Sequence, residues 1–203
     1  MEIYIDAEKL ENTSRDMENL GDLLVDIMSG HIPSGRVLSE VLVNGKTYNE
    51  SYPDEVLGID INSVNRLDLV TVPSSTLAQV LITQGPDHLD VLAEAALKLA
   101  DEFRLNDEAD ANDKFLLFLQ AMQDFFSFLG QALDILSISL AHLEIEGLSA
   151  SRKLRELTRI LTDMNNLQEE YDWILLADTM EYELVPVLND WKNILNRVKC
   201  VAH

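Results

Sequence analysis

The chain has 203 residues, 47% of them hydrophobic, and 36 Asp and Glu against 15 Lys and Arg give it a formal net charge of −21. That length fits one large domain or two small ones, and the apolar fraction is too high for a disordered chain. The charge excludes the basic footprint of a nucleic-acid binder and argues against docking on an anionic membrane.

No stretch approaches the ~18–20 apolar residues of a membrane span. The first residues, Met-Glu-Ile-Tyr-Ile-Asp, show no signal-peptide pattern. The single cysteine, Cys200, leaves no intramolecular disulfide and no thiol pair for a metal. The expected compartment is the cytoplasm. Residues 1–74 carry 5 basic and 14 acidic side chains, 75–148 carry 3 and 13, and 149–203 carry 7 and 9. Such a surface keeps a protein soluble, and it also offers an acidic face to a basic partner.

Ile3 to Leu10 starts with β-type residues and reaches a turn-like Asp6-Ala7-Glu8. Met17, Leu20, Leu23, Leu24, Ile27 and Met28 then recur at helical spacing, and Gly30 follows as a stop. Val37 to Val43 is rich in β-formers and ends in Asn44-Gly45, a strong hairpin signal. Residues 3–10 and 41–48 resemble each other, each reading as strand, tight turn and short returning strand. Arg66 to Val72 is a last strand with Leu67 and Leu69 on one face and Thr71 as a third candidate, and Pro73 closes the domain.

Hairpin, helix, hairpin and closing strand is the element order of ubiquitin-like β-grasp domains, and residues 1–73 resemble that family in this order. The resemblance implies a small mixed sheet wrapped on one helix. The sulfur-carrier branch of the family needs a free C-terminal Gly-Gly, whereas Val72 runs into Pro73-Ser74-Ser75. What the resemblance implies here is an interaction or packing module.

Residues 74–203 are expected to be helical. Ser74 and Ser75 are N-cap candidates before Leu77, Val80, Leu81 and Ile82. Gly85-Pro86-Asp87 is expected to break that helix and start another, whose stripe is Leu89, Leu92, Ala96, Leu99 and Phe103. Asn106 to Asn112 reads as a loop, with Asp110 or Asn112 as the next cap. Phe115, Leu119, Met122, Phe126, Leu129, Leu133, Leu136, Leu140 and Leu143 then form a seam at alternating spacings of four and three, flanked by Phe118, Phe125, Phe128, Ala132, Ile135 and Ile138. A helix this broadly apolar belongs at the centre of a bundle.

Glu146 to Ser149 makes the next turn. Leu154, Leu157, Leu161 and Met164 continue a seam, with an interruption or kink expected at Asn165-Asn166. The final helix carries Ile174, Ala177, Leu184, Leu188, Trp191, Leu195 and Val198, and Pro186 inside it is expected to bend it.

This last seam has a fault. Counting 174, 177, 181, 184, 188 puts Glu181 on the core side, with Asp178 one step round and Glu183 on the far side. A carboxylate there is costly unless paired or coordinated. The favoured explanation is an interhelical ion pair or buried hydrogen bond with Arg152, Arg155 or Arg159. The alternative is a carboxylate metal site of the ferritin-like kind, but the Glu-x-x-His pair those bundles use occurs nowhere in the sequence. His31 reads as a loop residue and Cys200 as a chain-end thiol. No phosphate loop, Gly-x-Ser-x-Gly or Cys-x-x-Cys is present. Phe118 and Phe125 read as core, or as the lining of an apolar groove for a partner helix.

Tyr171 to Leu188 is similar to a pattern in uncharacterised bacterial proteins of comparable size. It also resembles helical export chaperones of the flagellar type, and that resemblance implies an acidic protein that binds a partner's amphipathic helix. The fold class expected is α+β: a small β-grasp-like domain at 1–73, then an all-α bundle of four to five long antiparallel helices at 74–203. The function expected is a non-catalytic adaptor, scaffold or export-type chaperone that uses no cofactor and no metal. Its partner would be a protein, basic or an amphipathic helix, and not a nucleic acid or a membrane. The candidate residues are Asp178, Glu181, Arg155, Arg159, Phe118 and Phe125. The alternatives are a metal-dependent enzyme around Asp178 and Glu181, or a self-associating structural protein.

Overall fold

The computed structural model describes residues 1–11, 19–48, 59–105, 108–145 and 147–201, and the chain divides into two compact units, Met1–Leu77 and Ala78–His203. Met17, Asn106 and the side chain of Cys200, singled out above, lie outside the described residues.

The first unit consists of β1 (Glu2–Ile5), β2 (Glu8–Lys9), α1 (Leu20–Gly30), β3 (Arg36–Val43), β4 (Lys46–Tyr48) and β5 (Arg66–Pro73). The sheet runs β2-β1-β5-β3-β4, with β1 parallel to β5 and every other pair antiparallel. Both hairpins turn on two residues of positive φ, Asp6 and Ala7 at 50° and 68° and Asn44 and Gly45 at 52° and 82°. That is the turn whose twist matches the strands it joins. The Asn44 side chain accepts from the Asn65 and Arg66 amides at 2.8 and 3.0 Å, fixing β5 beside the second hairpin.

One face of the sheet is covered by α1, whose Leu20, Leu23, Leu24 and Ile27 pack with Ile3, Val43, Val64, Leu67 and Leu69. Asn19 caps this helix by accepting from the Asp22 amide at 2.8 Å. Met28, expected on the inner stripe, is instead exposed, because Leu24 and Ile27 already fill the side of α1 that meets the sheet. The unit is β-grasp-like.

The second unit is an all-α bundle with one small hairpin. Its helices are α2 (Ser74–Arg104, beginning just ahead of the unit), α3 (Glu108–Ile135), α4 (Ala150–Glu169), α5 (Trp173–Thr179) and α6 (Val185–Val201). A π-helical turn, Met180–Leu184, joins α5 to α6, and β6 (Glu144–Ile145) pairs with β7 (Leu148–Ser149). Side-chain bonds show antiparallel neighbours. Arg104, Asp90 and Thr83 of α2 meet Asp178, Lys192 and Lys199 in turn, while Lys153 and Arg159 of α4 meet Asp190 and Glu183.

Four expectations change here. First, α2 runs unbroken through Gly85-Pro86, and both residues are buried. A proline costs a helix one backbone bond, and the helix passes it within a buried stretch where a Cβ on Gly85 would lie 2.8 Å from Leu195 Cδ1. Second, α3 starts at Glu108, which puts Asp110 and Asn112 inside it, and ends at Ile135. Ser137 takes φ 58°, and the Ser137 and Ile138 amides return to Asp134 and Leu133 at 3.0 and 2.8 Å. Those two bonds are a Schellman stop with serine where glycine is usual.

Third, Asn165-Asn166 lies within α4, whose stop is again a Schellman motif. The Tyr171 and Asp172 amides return to Gln168 and Leu167 at 3.2 and 3.0 Å, with Tyr171 at φ 59°. Fourth, the inward residues of the last segment are Ala177, Met180, Leu184, Val187, Leu188 and Trp191, so Ile174 points to solvent and Met180 replaces Glu181 on the seam. The Val185 amide bonds Met180 O, five residues back. This wider turn directly precedes Pro186, which has no amide to continue the ladder.

Candidate functional site

The outer surface of α5 breaks the rule for surface helices. Leu176, Ala177 and Thr179 face the core, so the opposite side should be polar. Instead Ile174 is 58% and Leu175 49% exposed, with Tyr171 at 74% before the helix and Tyr182 at 67% on the π-helical turn. Leu105, next to the end of α2, is 79% exposed. Ile174 and Leu175 lie four and three positions before Asp178, and Tyr182 lies four after it, so these side chains form one outward stripe.

An ion cluster occupies the middle of this stripe. The Arg104 guanidinium donates to Asp178 Oδ1 at 2.8 Å, meets Glu181 Oε2 at 2.6 Å, and reaches Asp101 at 3.5 Å. Hydrogen bonding to Asp178 first, then Glu181, holds Arg104 well above its already high ordinary value. The charge of Glu181 likewise pushes the Tyr182 phenol up. Below the cluster, Phe103 stacks on Trp173 with ring centroids 5.3 Å apart, and Tyr171 meets Trp173 edge-on at 5.6 Å. The positive φ of Tyr171 is unusual for a bulky residue, and strain of this kind gathers at binding sites.

The sequence-derived candidates divide. Asp178 and Glu181 are brought together and paired, but their donor is Arg104. Arg159 instead engages Glu183 at 2.6 Å and also meets Asp163, and Arg152 and Arg155 are exposed. Phe118 and Phe125 are buried, and Phe125 stacks on His88 at 5.1 Å, so neither lines an open groove. Arg104, Leu105, Tyr171 and Tyr182 were not singled out. The available signal was the run Phe103-Arg104-Leu105 at the end of an otherwise regular apolar stripe.

The first unit holds an open cleft of about 650 Å³ lined by residues that include Asp6, Lys9, His31 and Arg36. Asp6, Lys9 and Arg36 are engaged within the unit. Asp6 accepts from the amide and hydroxyl of buried Thr71 at 2.7 and 2.6 Å, and Arg36 donates to Thr71 Oγ1 at 2.6 Å. Lys9 pairs with Glu2. Among the described residues no group of three or more His, Cys, Asp or Glu is placed to hold a metal ion, and no helix is long and apolar enough to cross a membrane.

Fold and site together define a two-unit α+β protein, a β-grasp-like sheet followed by an antiparallel bundle with an apolar outer face. Residues 81–194, more than half of the chain, match the family described as Domain of unknown function (DUF8042), and the chain belongs to that family. Residues 2–72 match the model described as Domain of unknown function (DUF8043). No curated protein and no solved structure matches the chain.

Proposed function

We propose that this protein is a non-catalytic docking module, an adaptor or export-type chaperone, that takes a protein partner on the outer face of α5 and the π-helical turn. The observation that carries the reading is the exposed run Tyr171, Ile174, Leu175 and Tyr182, apolar and aromatic where a surface helix would be polar. Tyrosine and arginine are the residue types that concentrate binding energy at interfaces. The ubiquitin-like order of the first unit supports a second interaction or packing role there, and the cytoplasm remains the compartment we assign.

The test is affinity capture from the source cells with the full chain. Ile174→Glu and Tyr182→Ala alter exposed positions, so folding should be preserved. Phe128→Ala, on the exposed side of α3, serves as the control. The expected result is a specific partner retained by the wild type and the control and lost by both face variants. A partner set unchanged by Ile174→Glu would refute the reading.

A further inference from the structure

We propose that the occupant of the α5 face is a helical segment of the partner that is apolar at both ends and carries a Lys or Arg at its centre. This deepens the docking reading above and rests on it. The face itself has that pattern in complement. Ile174 and Leu175 lie one turn before Asp178, and Tyr182 lies about one turn after it. An apolar side chain of the partner meets each end, and a cation between them meets Asp178 and Glu181.

Charge decides the chemistry of the centre. Arg104 is one cation set among three carboxylates, those of Asp101, Asp178 and Glu181, which leaves the cluster net negative. Asp178 is 45% exposed and so open to a second donor. The surrounding chain reinforces this: residues 163–190 contain eight Asp and Glu and no Lys, Arg or His, and of these Asp163, Glu183 and Asp190 are paired with Arg159 and Lys153 of α4. An acidic or neutral segment would strand these carboxylates under an apolar cover, a costly arrangement. A second copy of this chain would set a second net-negative cluster against the first. A cationic segment instead forms charge-assisted hydrogen bonds, and the exposed rings of Tyr171 and Tyr182 offer it cation–π contacts.

The experiment uses the full-length protein and two synthetic 16-residue helical peptides of identical composition. In one, a lysine stands between two leucines on the apolar face. In the other, that lysine is exchanged with a polar residue of the opposite face. Binding is measured by fluorescence anisotropy at physiological salt. The first peptide should bind about 10-fold more tightly, the scale of one charge-assisted contact.

The near-isosteric variants Asp178→Asn and Glu181→Gln, checked for unchanged melting, should bring that ratio below about twofold, because the selecting charge is gone. Equal binding of the two peptides by the wild type would overturn the proposal, as would a preference that survives both variants. If neither peptide binds while Ile174→Glu still loses its cellular partner, the cationic occupant is wrong and the docking face stands. If Ile174→Glu loses nothing, the docking reading itself falls.

Discussion

Tyr171 allows stability and binding to be separated at one position. Its φ of 59° places it in the left-handed region that a Cβ disfavours by about 1 kcal/mol. Its ring recovers part of that through the edge-on contact with Trp173, worth roughly 0.5–1 kcal/mol at an exposed site. Tyr171→Gly removes both contributions and should leave stability within about 0.5 kcal/mol of wild type. Tyr171→Ala keeps the strain and loses the contact, so it should cost roughly 0.5–1 kcal/mol. Glycine should therefore exceed alanine by about 1 kcal/mol, the reverse of their order inside a helix. That difference corresponds to about 2–4 °C in melting temperature for a chain of this size. Melts followed by helical circular dichroism resolve it. Partner capture should fall equally in both variants, since both lack the ring. An alanine variant as stable as the glycine variant would refute the Schellman geometry argued for this turn.

Two further expectations concern the scaffold. Hydrogen bonds from Thr71, side chain before backbone, and then the charge of Arg36 hold the Asp6 carboxyl below its ordinary 3.8. Because the folded value is the lower one, protons bind the unfolded chain first. The contribution of Asp6 is complete above about pH 5 and is lost as pH falls through the folded value. Amide exchange in β1 and β5 should then show an advantage of wild type over Asp6→Asn at pH 6 that shrinks toward pH 3, and a constant gap would contradict it. In the bundle, Gly85→Ala gains about 1 kcal/mol of helix propensity but drives a Cβ to 2.8 Å from the fully buried Leu195. Overpacking costs about 1–3 kcal/mol, so melting should drop by a few degrees. A rise would mean that Leu195 has room to turn aside.

Much of the fold was legible because its signals are local. Asn44-Gly45 announces a turn that only residues tolerant of positive φ make easily, and the alternation of Leu67, Leu69 and Thr71 marks the covered face of β5, with all three buried. The helix stops of the bundle were not legible, for a shared reason. Both α3 and α4 end in Schellman motifs whose left-handed residue is Ser137 or Tyr171 rather than glycine. Stops of this kind are recognised in sequence by glycine, so apolar spacing alone carries the seam on to Leu143, and at Asn165-Asn166 it offers an interruption or kink where the helix in fact runs on. At Gly85-Pro86 the error ran the other way. Two residues that normally interrupt a helix are kept inside one, and at Gly85 the missing Cβ leaves room for Leu195, whose Cδ1 would otherwise lie 2.8 Å away.

The site was half legible. Asp178 and Glu181 stood out as a fault in the seam, and they are indeed paired, although the premise was one residue out of phase. Their partner, Arg104, is 74 residues away from Asp178 in the chain, a distance no periodicity spans. The deeper difficulty is that the segment from Trp173 to Leu184 carries two apolar stripes. One, Ala177, Met180 and Leu184, is buried, and the other, Ile174, Leu175 and Tyr182, is exposed. Hydrophobic spacing identifies both and cannot say which faces inward. Burial separates them, and it gives the outer stripe its meaning. Ile174, Leu175 and Tyr182 leave about half or more of their surface outside the core, so they add less to it than the inner stripe does. An apolar choice at all three positions brings the fold little and raises the hazard of exposed surface, and the proposed docking role is what would account for it.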